Sequence, residues 1–272
     1  MSAATQAEAL ARFRAEYGAH RAAEGRGAGG VAELLALPYL ADGPTAPQWA
    51  IRSRTYDAFE RRILRPMIRA AASPVRLLDL GAGNGWLCYR ATLLGCVATA
   101  MDVRDDGVDG LGAAAGYDPH LPRPFGRVAA SFEAIPAADG SFDVAVFNAA
   151  LHYALDLSAA LAEAARVVRG GGRIVILDSP FYRRDRDGRA MVEEKRRHAA
   201  ARFGGRAEAL IALPFIEYLT PRGLAAASAP LGLSWRRHRV RYPIAYEMRP
   251  LVALLKRRRA PSRFDLWECT VP

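Results

Sequence analysis

Lysine is nearly missing from this 272-residue chain, with Lys195 and Lys256 the only two among 38 basic residues. The scarcity matters at the glycine-rich run around residue 81. A phosphate loop of the nucleotide hydrolases needs Gly-Lys-Ser/Thr, and that run contains no lysine. Cysteine is scarce as well. Cys88, Cys96 and Cys269 are too few and too scattered for a disulfide framework or a zinc site, and no metal is expected. Cys88 and Cys96 read as buried free thiols. No apolar run reaches the ~20 residues that span a bilayer. The opening Met-Ser-Ala-Ala-Thr-Gln-Ala-Glu lacks the basic-then-apolar layout of a secretory signal. A cytoplasmic protein without a membrane span is the expectation.

The net charge of +10 is unevenly spread. Residues 181–272 carry 20 basic and 9 acidic side chains, which leaves residues 1–180 close to neutral. Such a basic third would attract an anionic substrate or nucleic acid over long range. A solvated arginine surface is the competing reading.

What the chain does have is a patterned run at 75–87, Val-Arg-Leu-Leu-Asp-Leu-Gly-Ala-Gly-Asn-Gly-Trp-Leu. It describes an apolar strand with Asp79 near its end, a turn built on Gly81, Gly83 and Gly85, and a helix start. The dinucleotide fingerprint G-x-G-x-x-G places its third glycine where Trp86 stands, so a pyrophosphate-binding turn is disfavoured. Val97–Met101 reads as a second buried strand closed by Asp102, which lies 23 residues after Asp79. An acid about 20 residues beyond such a turn is the ribose-hydroxyl ligand of these folds. Ser131-Phe-Glu-Ala-Ile-Pro136 precedes a strand over 141–148, and 166–178 gives a helix end, a glycine turn and a fifth strand.

Together these motifs, over roughly residues 70–180, resemble the class I S-adenosylmethionine (SAM)-dependent methyltransferases. The match is to the ubiquinone/menaquinone-biosynthesis type. The resemblance implies a Rossmann-like α/β fold, with a seven-stranded, mostly parallel sheet whose seventh strand is antiparallel. It implies SAM as cofactor and S-adenosylhomocysteine as product. By position it puts the cofactor against Asp79, Gly81, Ala82, Gly83, Asn84, Gly85, Asp102, Val103, Ser131, Phe132 and Asn148. Asp79 lies near the amino end of the methionine moiety. The chemistry suits this donor, whose sulfonium and ammonium call for acidic side chains rather than an anion-cradling lysine. One departure is Ser131, where the family commonly has an aspartate facing the adenine amino group.

The resemblance divides the chain into an N-terminal helical cap (1–70) and a methyltransferase domain (71–272) with a substrate-cap insertion at 179–231. An amphipathic helix is expected over Ala9–Tyr17 and a glycine-rich link over Gly25–Gly30. Thr45-Ala-Pro47 looks like a helix start with threonine as N-cap, and Pro66 is expected to kink or break that helix. Arg52 and Tyr56 lie one turn apart on it. Arg52 either holds the methionine carboxylate through a charge-assisted pair or is a surface arginine. The loop 105–124 reads as irregular with a short helix at most. A charged helix is expected around Met191–Phe203, where Glu193 and Glu194 would pair with Arg196 and Arg197, followed by an apolar stretch over Leu210–Leu219. Leu233–Val240 and Arg263–Val271 are the expected last two strands, with a helix near Tyr246–Arg258 between them. His198 and His238, set among arginines, read as surface residues.

Methyl transfer from a sulfonium requires nucleophile, carbon and sulfur in line, and positioning can supply about 7–11 kcal/mol. A base is needed only if the acceptor must lose a proton. Residues following the fourth and fifth strands project toward that point. His152 is the candidate base, with packing as its alternative role. Tyr56, Tyr153, Asp178, Tyr182 and Arg183 are candidates for substrate contact. The expected activity is methylation of a small organic acceptor, anionic if the basic third serves it, at O, N or C. An RNA methyltransferase and a non-catalytic SAM-binding protein are the alternatives. Against the first, no RNA-binding module is recognisable, and Asn148-Ala-Ala-Leu stands where an Asn/Asp-Pro-Pro-Tyr-like motif would mark exocyclic-amine methylation.

Overall fold

The structure, a computed structural model, describes residues 30–203 and 214–272. The helix expected over Ala9–Tyr17, most of the glycine-rich link and the start of the Leu210–Leu219 stretch lie outside the described residues.

Seven strands form one sheet in the order β3-β2-β1-β4-β5-β7-β6. The strands are β1 Arg76–Leu80, β2 Val97–Asp102, β3 Gly126–Ala129, β4 Phe142–Asn148, β5 Val168–Leu177, β6 Arg236–His238 and β7 Leu266–Thr270. The first five pair in parallel, and β7 is antiparallel to both β5 and β6. This is the expected topology. The strand order reverses between β1 and β4, so ligands are accommodated beyond the carboxyl ends of those two strands.

The central strands are apolar on both faces because helices cover both. Along β4, Val144 and Val146 join one buried cluster, while Ala145 and Phe147 join the other. The first cluster is closed by α2 (Ala46–Phe59) and α4 (Trp86–Leu93). The second is closed by α5 (Leu157–Val167) and α7 (Pro221–Ser228). Two of these helices start on side-chain caps. Asp156 accepts from the Ser158 and Ala159 amides at 2.8 and 3.1 Å, and Thr220 accepts from Gly223 at 3.0 Å. Thr45 precedes α2 as expected, but its side chain makes no cap bond.

Pro66 does not break the N-terminal helix. The chain widens into a π-helical stretch over Glu60–Leu64 and continues as α3 (Arg65–Ala70), with Pro66 in its first turn. Proline lacks an N–H and its ring collides with the carbonyl four residues back, and the wider turn relieves both. A short helix α1 (Gly30–Ala36) precedes α2, and the 105–124 loop holds a 3₁₀ stretch over Leu111–His120. The charged helix starts earlier than expected, as α6 Asp185–Phe203. Two short helices, α8 (Ile244–Glu247) and α9 (Arg249–Leu255), join β6 to β7.

Two surface readings need correction. His238 is half-buried, with Nε2 2.7 Å from Glu268 and Nδ1 3.4 Å from Arg62, because β6 lays it against the neighbouring edge of β7. Glu194 reaches Arg259 at 2.7 Å across the fold rather than a neighbour on its own helix. All three cysteines are free and buried. Among the described residues no helix is long and apolar enough to cross a membrane, and no cluster of three or more His, Cys, Asp or Glu side chains forms a metal centre.

Candidate cofactor and acceptor site

The turn between β1 and α4 is set by the protein's own packing. Gly81 has φ 75°, and a Cβ there would lie 2.3 Å from the Ala150 Cβ, so a side chain at 81 would separate β1 from the segment after β4. Gly85, at φ 76°, is the N-cap of α4, and a Cβ on it would sit 2.9 Å from the Phe125 ring. Gly83 is more open. Asn84 closes the turn, donating to Asp109 at 3.2 Å and accepting from the Trp86 amide at 3.3 Å. Ala82 is buried beneath it. Trp86 is buried edge-on against Trp49 and Tyr56 of α2, with centroids 5.6 and 5.4 Å away. The indole that excludes the dinucleotide fingerprint is therefore the anchor for the N-terminal helix.

Asp79 is fully buried, and neither of its carboxylate oxygens has a hydrogen-bond partner. Burial first, and the Asp102 charge second, hold its pKa well above the usual carboxylate range, while Arg52 opposes them. Asp102, at the tip of β2, accepts from the Gly83 and Arg104 amides, both at 2.8 Å. Burial raises its pKa too, partly offset by those two amides and by Arg104. Val103 follows, half-buried. The Phe132 ring lies over the glycine turn, 3.8 Å from where a Gly81 Cβ would be, and edge-on to Phe147 at 5.6 Å. The Ser131 hydroxyl accepts from the Glu133 amide at 3.2 Å.

Arg52 lies across the carboxyl ends of β4 and β5. Its guanidinium donates to Asn148 Oδ1 at 3.3 Å and lies 3.5 Å from Asp178. It also covers the Trp49 ring at 4.3 Å and the Trp86 ring at 5.5 Å. Burial raises the Asp178 pKa to about 6, and Arg52 and Thr55 pull it back down. Both residues that follow these strands are strained, Ala149 at φ 56° and Asp178 at φ 50°. Left-handed backbone at such residues costs about 1–3 kcal/mol and concentrates at functional sites. His152 has a buried Nδ1 without a hydrogen-bond partner. Burial, then Lys195 and Arg52, lower its pKa to about 3, so the ring is neutral at physiological pH. The Tyr153 ring lies against it, tilted by 39° with centroids 4.3 Å apart.

The remaining candidates lie further out. Tyr56 is buried in the aromatic group behind the glycine turn. Tyr182 is buried and accepts from Arg259 at 3.2 Å, whereas Arg183 is exposed. Three features escaped the sequence reading. These are the indole pair around Arg52, the Thr55–Tyr242 hydroxyl contact at 2.8 Å, and the Arg104–Asp106–Asp109 group beside the turn. Only the last had a sequence signal, in the acidic run after Asp102.

A doubly wound sheet in this order, with an antiparallel seventh strand, a glycine turn after β1 and acids at the tips of β1 and β2, has the architecture of the class I methyltransferases. Residues 78–176 match the family described as a methyltransferase domain. The chain is 32% identical over 126 residues to a ubiquinone/menaquinone biosynthesis C-methyltransferase of Methylobacterium nodulans, covering 45% of this chain and 49% of the relative. It is 33% identical over 101 residues to a malonyl-[acyl-carrier protein] O-methyltransferase of Erwinia pyrifoliae, covering 37% of this chain and 36% of the relative. The chain thus spans about half the length, or less, of these curated relatives. The solved structure of a geranyl diphosphate methyltransferase in complex with GPP and sinefungin shares the fold. It has a TM-score of 0.56 at 16% identity, over 85% of this chain and 83% of that chain.

Proposed function

We propose that the protein transfers the methyl group of SAM to a small organic acceptor. The observation that carries this reading is Asp79, a buried carboxylate with two unpartnered oxygens beside a glycine turn. A buried acid left in this state calls for a cation. The ammonium of SAM is such a cation, and the residues around it fit the rest of the molecule. Asp102 retains lone pairs for ribose hydroxyls while holding the Gly83 amide. Phe132 offers an apolar face above the turn. When bound, SAM supplies an electrophilic methyl carbon on a sulfonium, so the leaving group departs neutral.

The chain's own residues would then place the acceptor. Arg52 faces the site from α2, held by Asn148 and Asp178 and seated on two indoles. A carboxylate, from the methionine moiety or from an anionic acceptor, can exchange with Asp178 for it. A protic acceptor would have to give up a proton on methylation, and the side chains beyond β4 and β5 would receive it. With a pKa near 3, His152 is a feeble proton sink and is better suited to accept a hydrogen bond from the acceptor. Asp178, near 6, is the stronger base. From the segment after β5, Glu217 donates its amide to the His152 carbonyl at 2.8 Å and pairs with Lys195 at 2.7 Å, which supports a role for that segment beside the acceptor.

The RNA alternative draws little support from the basic third, because several of its arginines are engaged by acids. Arg237 and Arg263 share Asp265, and Arg239 and Arg263 share Glu247. The test is calorimetric titration of the full chain with SAM, then detection of S-adenosylhomocysteine with phenolic, quinol and carboxylate acceptors. SAM binding with turnover on one acceptor class is expected. No SAM binding would end this reading, and binding without turnover on any class would favour a non-catalytic SAM-binding protein.

A further inference from the structure

The helical segment between β6 and β7 has a face that the described residues leave exposed. Backbone bonds from Met248 to Ile244, from Val252 to Met248 and from Lys256 to Val252 carry it as one helix through the α8–α9 junction. At about 100° per residue, Leu251, Ile244, Leu255, Met248 and Val252 fall within an arc of roughly 100°. All five are exposed, Ile244 at 82% and Leu255 at 75%, and Leu254 beside them is exposed at 72%. The opposite face is fixed to the protein. Tyr246 is buried, and Arg249 stacks on it at 3.6 Å and donates to the Ser262 carbonyl at 2.7 Å. The orientation is therefore set, and the apolar face points outward.

The C-terminal end of this helix is cationic. Lys256, Arg257 and Arg258 are exposed, whereas Arg259 turns inward to Glu194 and Tyr182. The helix ends in a paired motif, Arg258 bonding Ala253 and Arg257 bonding Leu254, with Arg257 at φ 50°. Glycine would fit that left-handed position better, yet a cation occupies it. The one acid on the helix, Glu247, is held by Arg263.

An outward apolar arc ending in three cations has the form of a helix that lies in a membrane interface. A second copy of the chain meeting this face about a two-fold axis would bring like charges together, whereas an anionic surface satisfies both features at once. We propose that Ile244–Leu255, with Lys256, Arg257 and Arg258, docks the protein on a bilayer containing anionic phospholipid. The base of the segment touches the acceptor side, since the Tyr242 hydroxyl contacts Thr55 of α2 and Arg259 contacts Tyr182. Docking therefore places that side next to the lipid. The docking itself is independent of the methyl-transfer reading, and only the naming of that side as the acceptor side rests on it.

The experiment is co-sedimentation of the full chain with phosphatidylcholine vesicles, with and without phosphatidylglycerol. The wild type is compared with a Lys256→Gln/Arg257→Gln/Arg258→Gln variant and a Leu251→Glu/Leu255→Glu variant. Circular dichroism melts check folding, and size-exclusion chromatography checks oligomeric state. Expected is pelleting with phosphatidylglycerol vesicles that weakens with salt. The glutamine variant should lose roughly 100-fold in partitioning, from three cations near an anionic surface. The glutamate variant should lose vesicle binding while remaining folded. A monomer that ignores both vesicle types would overturn the proposal, as would a dimer dissolved by the glutamate substitutions. Vesicle binding unchanged in the glutamine variant would overturn it even if the glutamate variant failed to fold.

Discussion

The β1–β2 and β4–β5 ends of the sheet solve opposite problems. At the β1–β2 end the backbone is rigidly packed and an acid is left without a partner, Asp79 beside the Gly81 turn. At the β4–β5 end the acid has a cation beside it, Asp178 with Arg52, which also donates to Asn148; one Asp178 oxygen still lacks a hydrogen-bond partner, and the backbone carries the strain at Ala149 and Asp178. The first end declares a ligand of definite charge. The second conceals its ligand, because a closed ion pair can open to many acceptors. The donor is therefore far easier to infer than the acceptor.

The sharpest way to break the first region is Gly81→Ala. Its Cβ would overlap that of Ala150 in a left-handed backbone, so a loss of about 4 kcal/mol in urea unfolding is expected. Asp102→Ala should lower SAM affinity about 100-fold by calorimetry, since it removes both the anchor of the Gly83 amide and the proposed ribose contact. An unchanged affinity would remove Asp102 from the cofactor site.

The second region should respond to pH. The folded protein holds the Asp178 proton more tightly than the unfolded chain, whose carboxylates titrate near 4. Stability from this group is fully present below about pH 4 and is lost as pH rises through about 6, by about 3 kcal/mol in total. Urea midpoints against pH should show this slope, and Arg52→Gln should extend it upward by removing the opposing cation. Asp79→Asn tests the contrast directly. It should weaken SAM about tenfold while raising Tm by a few degrees, because it removes a buried acid that has no hydrogen-bond partner and that Arg52 only partly offsets. The smallest effect belongs to Ala149→Gly, which should gain about 0.5–1 kcal/mol by releasing its left-handed strain.

The same contrast marks how far the sequence could be read. Asp79, the glycine turn and Asp102 belong to local patterns, in which strand period and turn chemistry lie within a few residues of each other, and all fell where the pattern put them. Strands β4 and β5 were equally legible as apolar runs between turns. Arg52 was singled out with two roles left open, because its partners Asn148 and Asp178 come from two distant strands. The π-helical relief at Pro66 and the half-burial of His238 depend on neighbours that only the fold supplies. The segment 244–255 read simply as a connecting helix, since exposure of an apolar face is a property of the assembled surface.

The turn that first marked this chain has a further consequence for descent. Gly81 and Gly85 answer to Ala150, Phe125 and Ala114, residues of the protein itself. A duplicated copy that had abandoned its donor would keep both glycines under selection for folding alone. Asp79 has no such protection, and a silent copy would gain stability by discarding it. Among descendants of this chain, the lone acid would tell a working copy from a retired one, and the glycines would tell only that both fold.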